Sequence, residues 1–239
     1  MEELLYKVLI CFLAGAGAGM GIGFAGMSAA TVISPMLITF LHLPAYNAIG
    51  IALGSDVLAS AASAYTYAKN KSTDIRNGLV MMAGVLVMTV AGSWLSSFVE
   101  NGTLRNFSVI MTLLLGLKFL IFPVKSGQKT LSGSSRWIQA AKSLVCGSII
   151  GLICGFFGAG GGMMMLMLLT MVLGYELKTA VGTSVFIMTF SALTGAVSHF
   201  VLSEPPQMDL LILCTVFTFF WAKIATRIAT GADGKTLNR

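Results

Sequence analysis

The sequence predicts an all-α polytopic membrane protein of two inverted repeats, each a glycine-broken helical hairpin followed by transmembrane helices. Three observations carry that expectation. The chain is 56% apolar and 10% charged over 239 residues, whereas soluble domains carry about 25% charged residues. Two apolar stretches are too long for one membrane crossing, and both are interrupted by glycines. The 15 Lys and Arg residues show a strong asymmetry only if those two stretches fold back on themselves.

Apolar stretches run over residues 4–43, 45–68, 78–99, 107–122, 138–173, 179–202 and 210–229. A helix of roughly 20 residues crosses the hydrocarbon, so the first stretch, at ~60 Å if wholly helical, is twice too long. Gly19, Gly21, Gly23 and Gly26 interrupt it, and Gly151, Gly155, Gly158 and the run Gly160, Gly161, Gly162 interrupt its long counterpart. Those two stretches align without gaps at an offset of 132 residues, with Gly19, Gly23, Phe24, Gly26, Leu37, Leu41, Ala48 and Gly50 falling on Gly151, Gly155, Phe156, Gly158, Leu169, Leu173, Ala180 and Gly182. Matched breaks in a duplicated hydrophobic pattern are the signature of a two-repeat transporter.

Positive charge selects the folding of the long stretches. If each folds back as a hairpin, Lys7 and Arg105 lie on one side and the remaining Lys and Arg lie on the other, the positive-inside pattern. The joints 69–77, 124–136 and 174–178 and the C-terminal tail are then cytoplasmic, and Glu2, Glu3, Glu100, Glu204 and Asp209 are external. The expected organisation is a first membrane repeat over 1–125, a cytoplasmic linker over 126–137 and a second repeat over 138–239. The second repeat is expected to be one span short in this sequence, because residues 232–238, the counterpart of 100–106, are followed only by Arg239. The acidic start, Met1-Glu2-Glu3, lacks the basic character of a secretory signal, so the N-terminus is expected to be retained.

Several function classes drop out. The basic residues sit in membrane joints rather than in one stripe, which argues against nucleic acid. Cys11, Cys146, Cys154 and Cys214 lie in apolar segments with no paired spacing or adjacent His, so neither a metal nor a disulfide framework is expected. No HExxH, nucleophile elbow or P-loop occurs, and no catalytic set or cofactor is expected.

Backbone groups freed by a break in the bilayer must find partners in protein or in a water-lined cavity. A helix restarting there points N–H groups and a positive dipole end at that cavity, which suits an anion. The candidate substrate contacts are therefore Gly26 and Ser28 at the first break and Gly158, Gly160, Gly161 and Gly162 at the second. Polar groups just after each hairpin join them: Asn47 and Ser55 in the first half, Thr183 and Ser184 in the second. Asp56 and His199 are the candidates for coupling to a proton or ion, an ionisable residue inside a span being functional by default. Plainer readings stand beside these. Glycines pack helices closely, Ser and Thr bond their own backbone, Asp56 pairs with Ser60 as a neutral acid, and His199 binds interfacial water.

Gly23-Phe-Ala-Gly26 with Pro35 downstream, Gly155-Phe-Phe-Gly-Ala-Gly-Gly-Gly162, and Ala180-Val-Gly-Thr-Ser184 leading to Gly195-Ala-Val-Ser-His199 resemble the sulfite exporter TauE/SafE family, also called the 4-toluene sulfonate uptake permeases. The resemblance covers nearly the whole chain. It implies a multi-pass transporter of the cytoplasmic membrane of a bacterium or archaeon, carrying sulfite, an organosulfonate or a related sulfur anion. Expected partners are that small anion, the lipid bilayer and further copies of the chain. Two other readings remain open: an intramembrane enzyme acting on a sulfur compound through Cys154 or Cys146, and an accessory membrane subunit without flux of its own.

Overall fold

The computed structural model describes residues 2–100, 136–157, 161–202 and 206–231, with isolated positions between 102 and 117. The expected span at 107–122, most of the linker and the last residues of the second repeat lie outside the described residues. The described helices are α1 (Glu2–Ala25), α2 (Ala30–Phe40), α3 (Ala45–Lys69), α4 (Ile75–Ser97), α5 (Arg136–Phe157), α6 (Gly161–Met171), α7 (Leu177–Leu202) and α8 (Met208–Gly231). Among them α1, α3, α4, α7 and α8 are long and apolar enough to cross a membrane. Large apolar side chains such as Val87, Phe98 and Val201 point outward, while the interior mixes many Ala, Ser and Thr with Ile, Leu and Met, and small residues let membrane helices approach closely.

The glycines divide into two kinds. Gly19, Gly21 and Gly23 do not interrupt α1, as the sequence had suggested they would, and Gly151 and Gly155 do not interrupt α5. They are contact surfaces. A methyl at Gly19 would lie 2.6 Å from the Thr218 carbonyl oxygen and one at Gly23 would lie 2.7 Å from the Thr226 nitrogen, so α1 can approach α8 only without side chains there. The register, Gly15 to Phe217, Gly19 to Trp221 and Gly23 to Ala225, makes α1 and α8 parallel. On α5, Gly147, Gly151 and Gly155 meet the backbone of Met81, Val85 and Thr89, so α4 and α5 are parallel as well.

The first chain break comes at Gly26, whose φ of +60° favours a residue without a side chain. Gly26 N–H donates to Ile22 O at 3.0 Å, the bond of an αL helix ending, and Met27 N–H donates to Gly21 O at 3.1 Å, which turns the chain back. Helix α2 then returns along α1, with Val32 against Gly17 and Tyr6 Oη 3.4 Å from the Phe40 carbonyl oxygen. The first long stretch is thus a hairpin. Tyr175, just after α6, hydrogen-bonds Asp74 at the start of α4, and α4 runs beside α5 from its beginning, so the second stretch also returns to the level at which it started.

The turns that close the two hairpins correspond. His42 and Gly174, 132 positions apart, have φ of 52° and 67°. Leu43 N–H donates to Leu37 O and Tyr175 N–H to Leu169 O, again at that offset. Between the hairpins, α3 and α7 pack antiparallel: Gly50 faces His199 and Phe200 near one end, and Gly182 faces Tyr67 and Ser72 near the other.

Candidate functional site

The two breaks come together. A Cβ on Gly162 would meet the Gly26 carbonyl oxygen and lie 2.7 Å from the Ser28 nitrogen, so the starts of α2 and α6 touch backbone to backbone. Ser184 on α7 bridges them, donating to Gly26 O at 2.9 Å with Gly162 O at 3.4 Å. Gly26, Ser28, Gly161, Gly162 and Ser184, named separately by the sequence, therefore share one buried point.

Asp56, near the middle of α3 and fully buried, belongs to that point. Its Oδ2 accepts from Ser28 Oγ at 2.7 Å and from Ala29 N–H at 2.9 Å, and its Oδ1 accepts from Ser60 Oγ. Ser28 Oγ in turn accepts from Ala30 N–H at 3.3 Å. A carboxylate on the first N–H groups of α2 complements the positive end of the helix dipole. The second break is different. The residue 132 positions beyond Asp56 is Met188, whose Sδ is 3.7 Å from the Cβ position of Gly161.

The carbonyls ahead of each break are also partnered. Gly23 O loses its usual acceptance from Met27 N–H, because that group turns to Gly21 O. Tyr67 Oη donates to Gly23 O instead, at 2.7 Å. At the matching place, His199 Nε2 is 3.2 Å from Gly155 O, which also accepts from Ser93 Oγ at 3.3 Å. Tyr67, 132 positions before His199, is not among the candidates that the sequence singles out. The signal that would have singled it out is the equal spacing of 44 residues in the pairs 23/67 and 155/199.

Other candidates lie elsewhere. Ser55 Oγ donates to Ile51 O of its own helix at 2.8 Å, and Asn47 sits half-buried in the first turn of α3, away from the breaks. Thr183 Oγ1 accepts from Asp74 N–H at 3.0 Å, which puts it in the joint between α3 and α4. Gly158 and Gly160 lie outside the described residues. Among the described residues no group of three or more His, Cys, Asp or Glu could hold a metal. Cys154 is wholly buried with its Sγ against Gly161.

That joint carries its own polar cluster at the basic end of the bundle. Asp74 Oδ2 accepts from Tyr175 Oη and Asn77 Nδ2, each at 2.7 Å, while Oδ1 caps α4 by accepting from Asn77 N–H at 3.1 Å. Burial alone would raise the Asp74 carboxyl, but these donors and the Arg76 backbone outweigh it and hold it below the ordinary carboxylate value. Burial, together with the Asp74 carboxylate, pushes the Tyr175 phenol up, so it remains a donor.

Comparison with known proteins agrees with this architecture. A family model described as Sulfite exporter TauE/SafE matches residues 11–239. The probable membrane transporter protein YunE of Bacillus subtilis is 25% identical over 242 residues, covering 96% of this chain and 88% of its own length. A second Bacillus subtilis protein, the probable membrane transporter protein YdhB, is 23% identical over 192 residues, covering 80% of this chain and 77% of its own. No solved structure matches.

Proposed function

The chain belongs to the sulfite exporter TauE/SafE family, a family of multi-pass membrane transporters and not of enzymes, and from that premise we propose that it carries small sulfur-containing anions, sulfite or an organosulfonate, by alternating access. One observation supports this reading above the others: two broken helices meet at one buried polar point, and only the first brings a carboxylate of its own, Asp56. The anion is received at the start of α6 by the N–H groups of Gly161 and Gly162, where the helix dipole favours negative charge. Ser184 turns its hydroxyl from Gly26 O to the anion, and Ser28 provides a second hydroxyl. Asn47, Ser55 and Thr183 line the route on either side of this point, and Asp56 or His199 couples the movement to a proton or ion.

The two halves, over 1–125 and 138–239, are inverted repeats. Elements 132 residues apart, α3 and α7, pack antiparallel, which is the relation produced by a two-fold axis in the membrane plane. Parallel pairing of α1 with α8 and of α4 with α5 crosses the two halves, so rocking of one assembly on the other opens the central point to each side in turn.

Reconstituted into liposomes, the full chain is expected to take up sulfite, sulfoacetate or thiosulfate, and Gly162→Ala to abolish uptake. Wild-type vesicles no more permeable to any of these anions than empty ones would remove the proposal.

A further inference from the structure

We propose that His199 Nδ1 is the atom that takes up and releases a proton during transport, and that Asp56 is a fixed partner of α2. The inference rests on the transporter reading above and narrows its coupling step to one nitrogen.

The argument begins with the matched caps. Tyr67 and His199 occupy corresponding places and do the same structural work, each supplying a hydrogen to a glycine carbonyl one turn before a break. A phenol completes that task with its one polar atom. An imidazole has a second. Because Gly155 O can only accept, Nε2 carries the hydrogen and Nδ1 keeps a lone pair. His199 is fully buried, and Nδ1 has no hydrogen-bond partner among the described residues. Capping alone does not explain a buried basic nitrogen, since the first half achieves the same cap without one.

The surroundings suit a group that gains charge transiently. Helix α3 presents Gly50 and Tyr46, whose ring centroid is 4.1 Å from that of His199. Helix α4 presents Ser93 through the shared Gly155 carbonyl, and Tyr46 Oη donates to Ser93 O at 3.3 Å. Helix α5 presents Gly155 itself. Tyr46 is the titratable side chain among these; the backbone carbonyls of Gly155 and Tyr46 act on the ring, and no carboxylate or ammonium group does. Protonation at Nδ1 therefore creates a cation that backbone carbonyls face but no opposite charge neutralises. An anion arriving at Gly161 and Gly162 compensates it, so one proton and one negative charge enter together and leave together.

Asp56 is unsuited to the same task. Three donors already converge on its two oxygens, and a proton there would force Ser28 or Ser60 to turn its hydroxyl and would weaken the cap on α2.

The test uses the full chain in liposomes loaded with a pH-reporting dye, and methanesulfonate, whose own charge does not change between about pH 5 and 8. Uptake by the wild type is expected to accelerate severalfold as the outside is acidified, with protons entering alongside the anion. His199→Gln keeps an N–H for Gly155 O, and His199→Tyr copies the first half. Both are expected to carry the anion with no proton movement and no pH dependence, while Tyr67→Phe slows uptake and keeps both. Proton movement that persists in either His199 variant, or anion uptake by the wild type without protons, would overturn the assignment and leave the transporter reading intact. No anion uptake by the wild type overturns both. Should neither variant fold, nitrogen NMR of the 15N-histidine-labelled chain in a His42→Asn background decides, Asn being tolerated at the positive φ of residue 42. Absence of His199 titration over the same range ends the proposal.

Discussion

Ser184 Oγ donates to Gly26 O at 2.9 Å, joining α7 of the second half to the break of the first. The acceptor lies at a helix end, where carbonyls lack intrahelical partners, and the pair is buried. Ser184→Ala is expected to lower stability in detergent by about 1–2 kcal/mol and to reduce sulfite flux. An unchanged thermal midpoint would show that the bond does not hold the break.

Close approach at Gly162 allows a sharper comparison. A methyl there meets Gly26 O and Ser28 N, both backbone atoms, so accommodating it requires moving a break, at a cost of about 1–3 kcal/mol or more. Among the described residues nothing lies within 4 Å of the Cβ position of Gly102. Gly102→Ala is expected to change stability by less than ~0.5 kcal/mol. Equal unfolding midpoints for the two variants would contradict the packing described.

At Asp56 the number of donors sets the outcome. Asp56→Ala strands Ser28, Ser60 and Ala29 N–H inside the protein, at about 1–3 kcal/mol for each group left unpaired. Asp56→Asn keeps one acceptor and is expected to fold, less stably than wild type and with slower flux. Size-exclusion profiles and unfolding curves of both variants test the order wild type, Asn, Ala.

The Asp74 joint predicts a pH dependence. Its folded carboxyl lies below the ordinary value of 3.8, so its contribution is present in full above that value. It is lost as pH falls from there through the folded value, because the unfolded chain takes its proton first. Tyr175→Phe removes the hydroxyl donor, lets the folded value rise and weakens the acid dependence. Thermal midpoints of the two proteins are expected to differ at neutral pH and converge in acid; a gap that persisted in acid would place the effect of Tyr175 elsewhere.

Parallel packing of α1 and α8 brings the thiols of Cys11 and Cys214 together. Copper phenanthroline treatment is expected to join them, giving a mobility shift on non-reducing gels that Cys11→Ser abolishes. A shift that survived that substitution would refute the register.

Some of this was legible in the residues. Hydrophobic length and charge placement determine the hairpin at residues 4–43, since a bilayer fixes both the length of a span and the side on which Lys and Arg remain. The repeat offset of 132 residues relates His42 to Gly174 and Tyr67 to His199, but only the structure showed that these pairs share a turn and a cap. Glycine content was misleading in detail. Gly19, Gly23, Gly151 and Gly155 read as breaks because a glycine freed for a turn and a glycine needed for contact look alike in a sequence, and only the neighbour across the gap tells them apart.

By itself, the sequence determined that this is a multi-pass helical membrane protein with two glycine-rich discontinuities, because solvent and span length act on each segment independently. The tertiary structure decided what those discontinuities do. Gly26 meets Gly162, Asp56 closes α2, Thr183 serves the Asp74 joint and Tyr67 caps Gly23, all relations between residues distant along the chain. Hydrogen-bond partners of freed backbone groups come from whichever helix packs nearby, and no local pattern specifies that choice.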